Sequence, residues 1–458
     1  MSKYLYGASV QGIQGFIFAT NKLQEIVGAS EIVKSIADIF EKEYKADELL
    51  INTAGNIKAV FYKKEDCEKV VLEFSKIISQ MAYGITISQS VIEFEGDVET
   101  HISKLSEKLK IQRNRPSIPL DSSINIMKLN PKTAKPLISD ELDKATAQKL
   151  KANEEFYAKY PTVKEFKDFS YMRNSKGKIA IIHIDGNGLG NVVKQLGKKL
   201  SAFSKNLEEA TNKAYDDSRE DYMDIRKVII GGDDVTVICN ANNALEFTKN
   251  FLENFEKETQ KIPELQGITK KLTACAGIAY CNEKYPFHYA VDLAEALCGV
   301  SKNHSERKSS CLMFHNIQSS NYQEWDKFVE DELTIKNDKE KTIIRCDFGA
   351  YYLDKKEEAN ISDFINTLEA YRCDGSPISR LRNWLSELYK SDTNAKKLLD
   401  RINIITAQSN KWNCEIMDKN LKYFDKNLSN ETLIIDKDGK KKTPIYDILQ
   451  ILSITEAK

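Results

Sequence analysis

Apolar and polar positions alternate through roughly the first hundred residues with the periods of short strands and amphipathic helices. The predicted elements are a strand at 4–8, a helix at 29–44, strands at 49–53 and 57–62, a helix at 66–82 and a strand at 84–94. The two middle strands are joined by Ala54-Gly55-Asn56, whose glycine and asparagine suit a tight hairpin turn. The resulting order, βαββαβ, is that of a ferredoxin-like unit.

The same order returns after a polar stretch with proline-containing turns and a Lys- and Glu-rich helical segment at 140–159. The second series is predicted as a strand at 179–184, a helix at 189–207, strands at 227–230 and 235–239, a helix at 244–259 and a strand at 272–280. Because both series have the same order of strands and helices, they indicate that one unit was duplicated and that its two copies then diverged. We therefore predict an α+β fold with two ferredoxin-like domains.

The spacing of apolar residues becomes mainly helical beyond residue 319. A chain of 458 residues is also too long for one ordinary core, because domains contain about 150 residues. The predicted regions are a first ferredoxin-like domain at 1–115, a connector with a helical segment at 116–177, a second ferredoxin-like domain at 178–319 and a mainly helical module at 320–458.

Composition and charge narrow the classes of function. The 67 basic and 68 acidic residues give a net charge of -1, so the whole molecule has no attraction toward nucleic acid or anionic membranes, and any anion site must be local. The nine cysteines are scattered and form no C-x-x-C pair, which is typical of reduced thiols in the cytoplasm. A signal peptide and membrane spans of about 18 apolar residues are not seen, so we expect a cytoplasmic protein without a membrane partner.

The strongest signal for chemistry is Gly231-Gly232-Asp233-Asp234, which lies between two apolar runs. Glycine permits the positive φ angles of a tight hairpin and leaves space beside the backbone. Adjacent carboxylates at a hairpin tip repel each other unless solvent or a cation separates their charges. The motif is therefore either an ordinary solvated Gly-Asp turn or a cation-binding hairpin.

Asp185 favours the cation-binding interpretation. It follows the strand predicted at 179–184, and in βαββ order the end of the first strand lies beside the hairpin of the next two. The predicted ligands of Mg²⁺ or Mn²⁺ are Asp185, Gly186, Asp233 and Asp234. Two metal ions held in this way could align a 3′-hydroxyl with an α-phosphate and stabilise departing pyrophosphate, so Asp185, Asp233 and Asp234 are the predicted catalytic residues.

A glycine-rich bend follows Asp185 and leads into a predicted helix, where free backbone N–H groups could hold a triphosphate. The candidate nucleotide contacts are Gly186, Asn187, Gly188, Gly231 and Gly232. Lys302 follows the helix predicted at 289–300 and is a further candidate for contact with phosphate. A solvated cation at a helix C-terminus explains Lys302 equally well.

The five histidines give no support to a nuclease, because none has metal-ligand spacing and none is followed by aspartate. His183 lies two residues before Asp185 on the same predicted strand face. We interpret it as a supporting core residue, which is the more common role of a lone histidine.

Residues in several places resemble the CRISPR polymerase family, the large Cas-ten subunit of type III effector complexes. The hairpin at 231–235 resembles the signature of that family's second palm domain, and 185–190 resembles its first-strand acid and bend. Weaker likenesses lie at 272–279, at 294–302 and, for the first palm domain, at 7–18 and 28–30. The resemblance extends from residue 1 to about residue 319.

The resemblance implies synthesis of cyclic or linear oligoadenylate second messengers from ATP in antiviral defence, with RNA or other CRISPR effector subunits as regulators. The first palm, whose hairpin lacks acids, is then expected to be catalytically silent and to help hold a second nucleotide. Ser9 and Gln14 are its candidate contacts, although a structural entry to a helix explains this glycine-rich stretch as well. A homodimer is a further expectation.

The chain departs from the family pattern in three ways. It has no His-Asp nuclease domain and no four-cysteine zinc module between the palms, and Asn187 stands where many relatives carry a second acid. Two other functions remain open at this point. One is a diguanylate-cyclase-like enzyme that uses GTP, and the other is a non-catalytic scaffold subunit that binds a nucleotide.

Overall fold

A computed structural model describes the chain except for residues 1, 54, 116–123, 125, 164, 221–222, 319–323, 338–341, 357, 409–413, 438 and 457–458. Its first unit contains strands β1 (Lys3–Gln11), β2 (Glu48–Thr53), β3 (Asn56–Phe61) and β4 (Thr86–Phe94), with helices α1 (Ile13–Ile17), α2 (Leu23–Glu43), α3 (Lys64–Met81) and α4 (Glu99–Arg113). The strands form an antiparallel sheet in the order β2-β3-β1-β4. This order confirms the predicted ferredoxin-like unit. Ala54, in the predicted hairpin turn, lies outside the described residues.

Both faces of this first sheet are covered. Helices α2 and α3 bury one face, on which Tyr6, Phe40 and Phe74 belong to one apolar cluster. Helix α4 covers the other face, where Leu105 and Leu109 pack on residues of β1, β3 and β4. Helices therefore cover the sheet on both sides.

The connector contains one long helix, α5 (Lys144–Lys159), which packs along α2 of the first unit. Asp143 caps its N-terminus, since the Asp143 side chain accepts a hydrogen bond from the Thr146 backbone N–H at 3.0 Å. Helix α5 also holds α1, because the buried Lys149 Nζ donates to the Phe16 carbonyl at 2.5 Å. The connector is thus packed on the first unit.

The second unit repeats the first and then extends it. Its elements are β5 (Lys178–Gly186), α6 (Leu189–Leu196), α7 (Leu200–Ser218), β6 (Ile225–Gly231), β7 (Asp234–Asn240), α8 (Ala244–Thr259), β8 (Ala274–Asn282), α9 (Phe287–His304) and β9 (Cys311–Asn316). The order β8-β5-β7-β6 matches that of the first sheet, and β9 adds to β8 as a parallel strand. The helix predicted at 189–207 is interrupted at Gly197, where φ is 52°.

The C-terminal module is mainly helical, as predicted, and also contains strands that the sequence pattern did not predict. Its elements are α10 (Trp325–Asp331), β10 (Thr334–Asn337), β11 (Thr342–Arg345), β12 (Tyr351–Tyr352), α11 (Ile361–Tyr371), α12 (Ile378–Leu388), α13 (Asp392–Ala407), α14 (Cys414–Phe424), β13 (Ile435–Lys437), β14 (Lys440–Lys442) and α15 (Ile445–Ile454). Strand β12 pairs with β9, so the module completes the edge of the second sheet. Strands β10, β11, β14 and β13 form a small separate sheet.

The second sheet lies between two apolar cores. One face packs with α7, α8 and the helices of the C-terminal module in a continuous cluster. The other face packs with α9 and with residues of the first unit. The proposed boundaries at 115/116 and 319/320 adjoin or fall on residues outside the described part, and the division into regions stays a prediction. No helix among the described residues has the length and apolar character needed to cross a bilayer.

Candidate metal and nucleotide site

The end of β5 meets the β6–β7 hairpin, as the sequence predicted. Strands β5 and β7 are neighbours, with Ile184 opposite Val235, so Asp185 extends toward the hairpin. Gly231 pairs with Asp234 across the turn, and Gly232 has a φ of 67°, a conformation that glycine adopts at low cost. The turn therefore presents both of its acids toward the end of β5.

The approach of the two elements is close enough to require glycine at position 186. A Cβ atom placed on Gly186 would lie 2.7 Å from both Cβ and Oδ2 of Asp233. Side-chain hydrogen bonding also links Asp185 to Asp233. Two carboxyl groups from separate predicted elements are thus brought into direct contact.

Burial and mutual repulsion make these acids hard to ionise. Burial, and next the charge of Asp185, raises the pKa of Asp233 to about 7. Burial also raises the pKa of Asp234 to about 7, with further contributions from the charges of Asp185, Asp233 and Glu295. Near pH 7 each group is therefore protonated about half of the time, and a bound cation would displace that proton.

Lys302 supplies a positive charge beside the acids. Its side chain is only 8% exposed, and Nζ donates to the Gly186 carbonyl at 2.9 Å while forming an ion pair with Asp185. The structure thus places Lys302 at the metal-site acids, and it is not a solvated cation at a helix end. Its contact with a phosphate stays a prediction.

His183 lies beside the acids in a supporting position. His183 Nδ1 lies 3.2 Å from Thr236 Oγ1 and 3.6 Å from Asp234 Oδ1. Burial lowers the pKa of His183 to about 4, so the ring is neutral near pH 7 and forms no full ion pair with Asp234. This agrees with its interpretation as a supporting core residue.

Asn187 is turned into the fold. Its Nδ2 donates to Thr273 Oγ1 at 3.0 Å and to the Ser309 carbonyl at 3.3 Å, and its backbone N–H donates to the Thr273 carbonyl at 2.8 Å. These bonds fix the glycine-rich bend to the strand next to it. Gly188 follows as the N-cap residue of α6.

The sequence analysis missed Glu295, which connects this site to the first unit. Its Oε1 accepts a hydrogen bond from Gln14 Nε2 at 2.6 Å. Both residues line a cavity of about 1250 Å³ between α1, the connector and α9. Gln14 is therefore brought to the second unit, whereas Ser9 lies within β1, opposite Asn56 and Ser88, and is not among the described residues that line the cavity.

The acids fit a divalent cation that is shared with a substrate. Within the part of the chain that the structure describes, no three His, Cys, Asp or Glu side chains form a ready-made metal cage. Mg²⁺ does not need one, because it is usually held by one or two carboxylates, with water and substrate phosphates as its other ligands. Asp185 and Asp233 are in contact, and the buried Asp234 Oδ1 atom has no hydrogen-bond partner. The Gly186 carbonyl, the fourth predicted ligand, accepts from Lys302 instead.

Residues 178–311 match the family model described as the second palm domain of Cas10/Cmr2. No curated protein sequence matches the chain. The match covers β5 to the first residue of β9, and so includes Asp185, the hairpin and Lys302. The comparison thus falls on the unit that carries the acids.

Solved structures share the fold over a wider region. The Csm1–Csm4 cassette in complex with pppApA gives a TM-score of 0.58 at 13% identity, covering 99% of this chain and 69% of that chain. Csm1 in T. onnurineus gives 0.56 at 14% identity, covering 98% and 69%. The apo Csm1–Csm4 cassette gives 0.47 at 13% identity, covering 67% and 53%. This chain therefore spans about 69% of the length of the first two of these chains.

Proposed function

We propose that this chain is a Cas10-type subunit, because its residues 178–311 match the second palm domain of Cas10/Cmr2. We further propose that it joins ATP into oligoadenylates by metal-dependent nucleotidyl transfer. The observation that carries the proposal is the contact between Asp185 and Asp233 beside Gly186, with Asp234 next to them. The raised pKa values of Asp233 and Asp234 show that placing their charges beside Asp185 is costly for folding, and this cost is offset when a cation and phosphates are bound.

In this reaction the 3′-oxygen of one nucleotide forms a bond to the α-phosphorus of ATP, and the bond to pyrophosphate breaks while the hydroxyl proton passes to solvent. Asp185, Asp233 and Asp234 would hold Mg²⁺ or Mn²⁺, which when bound neutralises phosphate charge and favours ionisation of the hydroxyl. Gly231 and Gly232 at the hairpin and Gly188 at the bend leave open space that phosphates would enter, whereas the space beside Gly186 is taken by Asp233. Lys302 holds Asp185 and the Gly186 carbonyl in position.

The related Csm1–Csm4 cassette was solved with pppApA, and this supports ATP as the substrate and an oligoadenylate as the product. The first palm, without acids at its turn, would hold the second nucleotide through Gln14, which reaches the cavity beside α9. Ser9 remains a candidate contact on β1. A product of this kind, cyclic or linear, would act as a second messenger in antiviral defence.

Partners are proposed on the same basis. Csm1 relatives were solved with Csm4, so a second CRISPR effector subunit is the partner that we propose for this chain, with RNA as a regulator. A homodimer is the alternative assembly. Sedimentation of the purified chain, with and without RNA, would show whether it forms the homodimer.

The test is release of pyrophosphate from each nucleoside triphosphate with Mg²⁺ or Mn²⁺, in the presence and absence of RNA. We expect release from ATP, and a loss of at least about 100-fold in the double variant Asp233→Ala, Asp234→Ala. The matched control is Asp216→Ala, Asp217→Ala, which removes two adjacent exposed acids from α7 and should leave the rate unchanged. No release under any condition would contradict the proposal, and release from GTP alone would indicate a diguanylate-cyclase-like enzyme.

A further inference from the structure

One face of α9 lies beside both the predicted metal-site acids and the boundary between the two palms. Glu295 and Lys302 are seven residues apart on this helix, about two turns, so they project from the same side. The adjoining side of α9 packs closely on β8, because a Cβ atom on Gly277 would lie 2.0 Å from the Ala294 carbonyl oxygen. Lys302 contacts Asp185, whereas Glu295 lies on the wall of the cavity beside the first palm.

The Glu295 end of this α9 face is held in place by a residue of the first palm. Gln14 lies on α1, a helix of five residues with little stability of its own, and its Nε2 donates to Glu295 Oε1 at 2.6 Å. This bond joins α1 of the first palm to α9 of the second. Lys149 of the connector holds the opposite side of α1 through the Phe16 carbonyl. Helix α1 is thus clamped between the connector and α9.

We propose that Glu295 is a positioning residue, and that its hydrogen bond with Gln14 is a latch that couples the cavity between the palms to the metal-site acids. The proposal rests on the proposed function for its effect on turnover. A nucleotide that enters the cavity meets Gln14 on its wall, and any displacement of Gln14 releases or redirects the Glu295 carboxylate. Glu295 shares its helix face with Lys302, so movement of Glu295 is passed along α9 to the ion pair between Lys302 and Asp185. The first palm would therefore control the second without supplying a metal ligand.

The test exchanges the side chains of Gln14 and Glu295. Gln14→Glu places two carboxylates against each other, Glu295→Gln removes the charge, and the double variant rebuilds the hydrogen bond with donor and acceptor reversed. Turnover is measured as pyrophosphate release, and the order of α1 as amide hydrogen exchange at residues 13–17. We expect Gln14→Glu to lower turnover about tenfold and to speed exchange, and the double variant to recover both to within about threefold of the wild-type values.

The test includes a matched control pair and outcomes that would contradict the latch. The matched control is Gln266→Glu with Glu209→Gln, two exposed positions that lie outside the cavity and should change neither readout. Unchanged exchange at 13–17 in every variant would overturn the latch. A double variant that restores exchange but is as slow as Gln14→Glu would also overturn it, because the carboxylate would then be needed at position 295 itself. If wild-type protein releases no pyrophosphate, the proposed function fails, and the exchange pattern alone decides the latch.

Discussion

The ammonium group of Lys302 contacts the carboxylate of Asp185, although Lys302 lies near the end of α9 and Asp185 near the end of β5. The same ammonium donates to the Gly186 carbonyl. A helix from the far part of the second palm therefore stabilises the first-strand acid before any metal binds. The positive charge of Lys302 thereby lowers the free-energy cost of placing several carboxyl groups close together in the folded protein.

We expect Lys302→Met to destabilise the metal-free protein by about 2 kcal/mol, because the Gly186 carbonyl and Asp185 lose their donor. Urea unfolding in the presence of a chelator measures this loss. Added Mg²⁺ should recover part of it, since a cation can replace the missing charge. The control Lys308→Met removes an exposed ion pair with Glu306 and should change stability little. Equal stability of the two variants would contradict the role assigned to Lys302.

Gly186→Ala is expected to reduce nucleotidyl transfer about 100-fold with a smaller effect on folding, because its Cβ would displace the Asp233 side chain by contact at 2.7 Å. Gly190→Ala is the matched control. A Cβ atom at Gly190 meets nothing within 4 Å, and alanine favours the helix at that position. Steady-state turnover and thermal unfolding of both variants give the comparison. Full activity in Gly186→Ala would show that Asp233 need not stay in place.

Gly277→Ala should destabilise the fold by about 3 kcal/mol, since the added Cβ would lie 2.0 Å from the Ala294 carbonyl and 2.5 Å from the Cys298 backbone nitrogen. Helix α9 would have to move away from β8, carrying Glu295 and Lys302 with it. Gly299→Ala lies on the same helix, where a Cβ meets nothing within 4 Å, and is expected to be neutral or slightly stabilising. Urea unfolding distinguishes the two substitutions.

His315 on β9 predicts a dependence of stability on pH. It is buried against Trp325 and Phe328, and burial lowers its pKa to about 4. The unfolded chain binds a proton at about pH 6.5 and the folded chain does not, so this residue lowers stability as pH falls from about 6.5 to about 4. At pH 5 the loss amounts to about 2 kcal/mol relative to pH 8.

Replacing His315 by phenylalanine should flatten this part of the profile, because the group that takes up the proton is gone. Unfolding free energies at pH 8, 6 and 5 measure the slope for wild type and variant. His288→Gln serves as the control, since His288 is exposed. A wild-type slope that His315→Phe leaves intact would assign the acid sensitivity to other groups.

Much of the fold could be predicted because both ferredoxin-like units follow the period of apolar residues. The prediction failed where short strands carry no such pattern. Strand β14 consists of three lysines and β12 of two tyrosines, and each forms only because a partner strand lies beside it. Strand pairing of this kind depends on tertiary contacts that a local window does not contain.

The acids of the site could be predicted because Asp185 and the hairpin follow from strand order alone. Glu295 could not, because its contact with Gln14 joins residues 281 positions apart in the sequence. One signal was available: Glu295 precedes Lys302 by two helical turns, so the two residues share a face. Asn187 also required the structure, since only its bonds to Thr273 and Ser309 show that it faces inward.

The pairing of β12 with β9 has a consequence for how the protein can be divided. Without the C-terminal module, β9 would become an open edge with unpaired backbone groups, and the apolar residues of α7 and α8 would lose part of their cover. An exposed edge of this kind invites pairing with another chain and aggregation. A fragment that ends at residue 318 would hold every acid of the site and still expose this edge. A fragment from 178 to 456 would keep β12 on β9 but would uncover the sheet face that packs on the first unit.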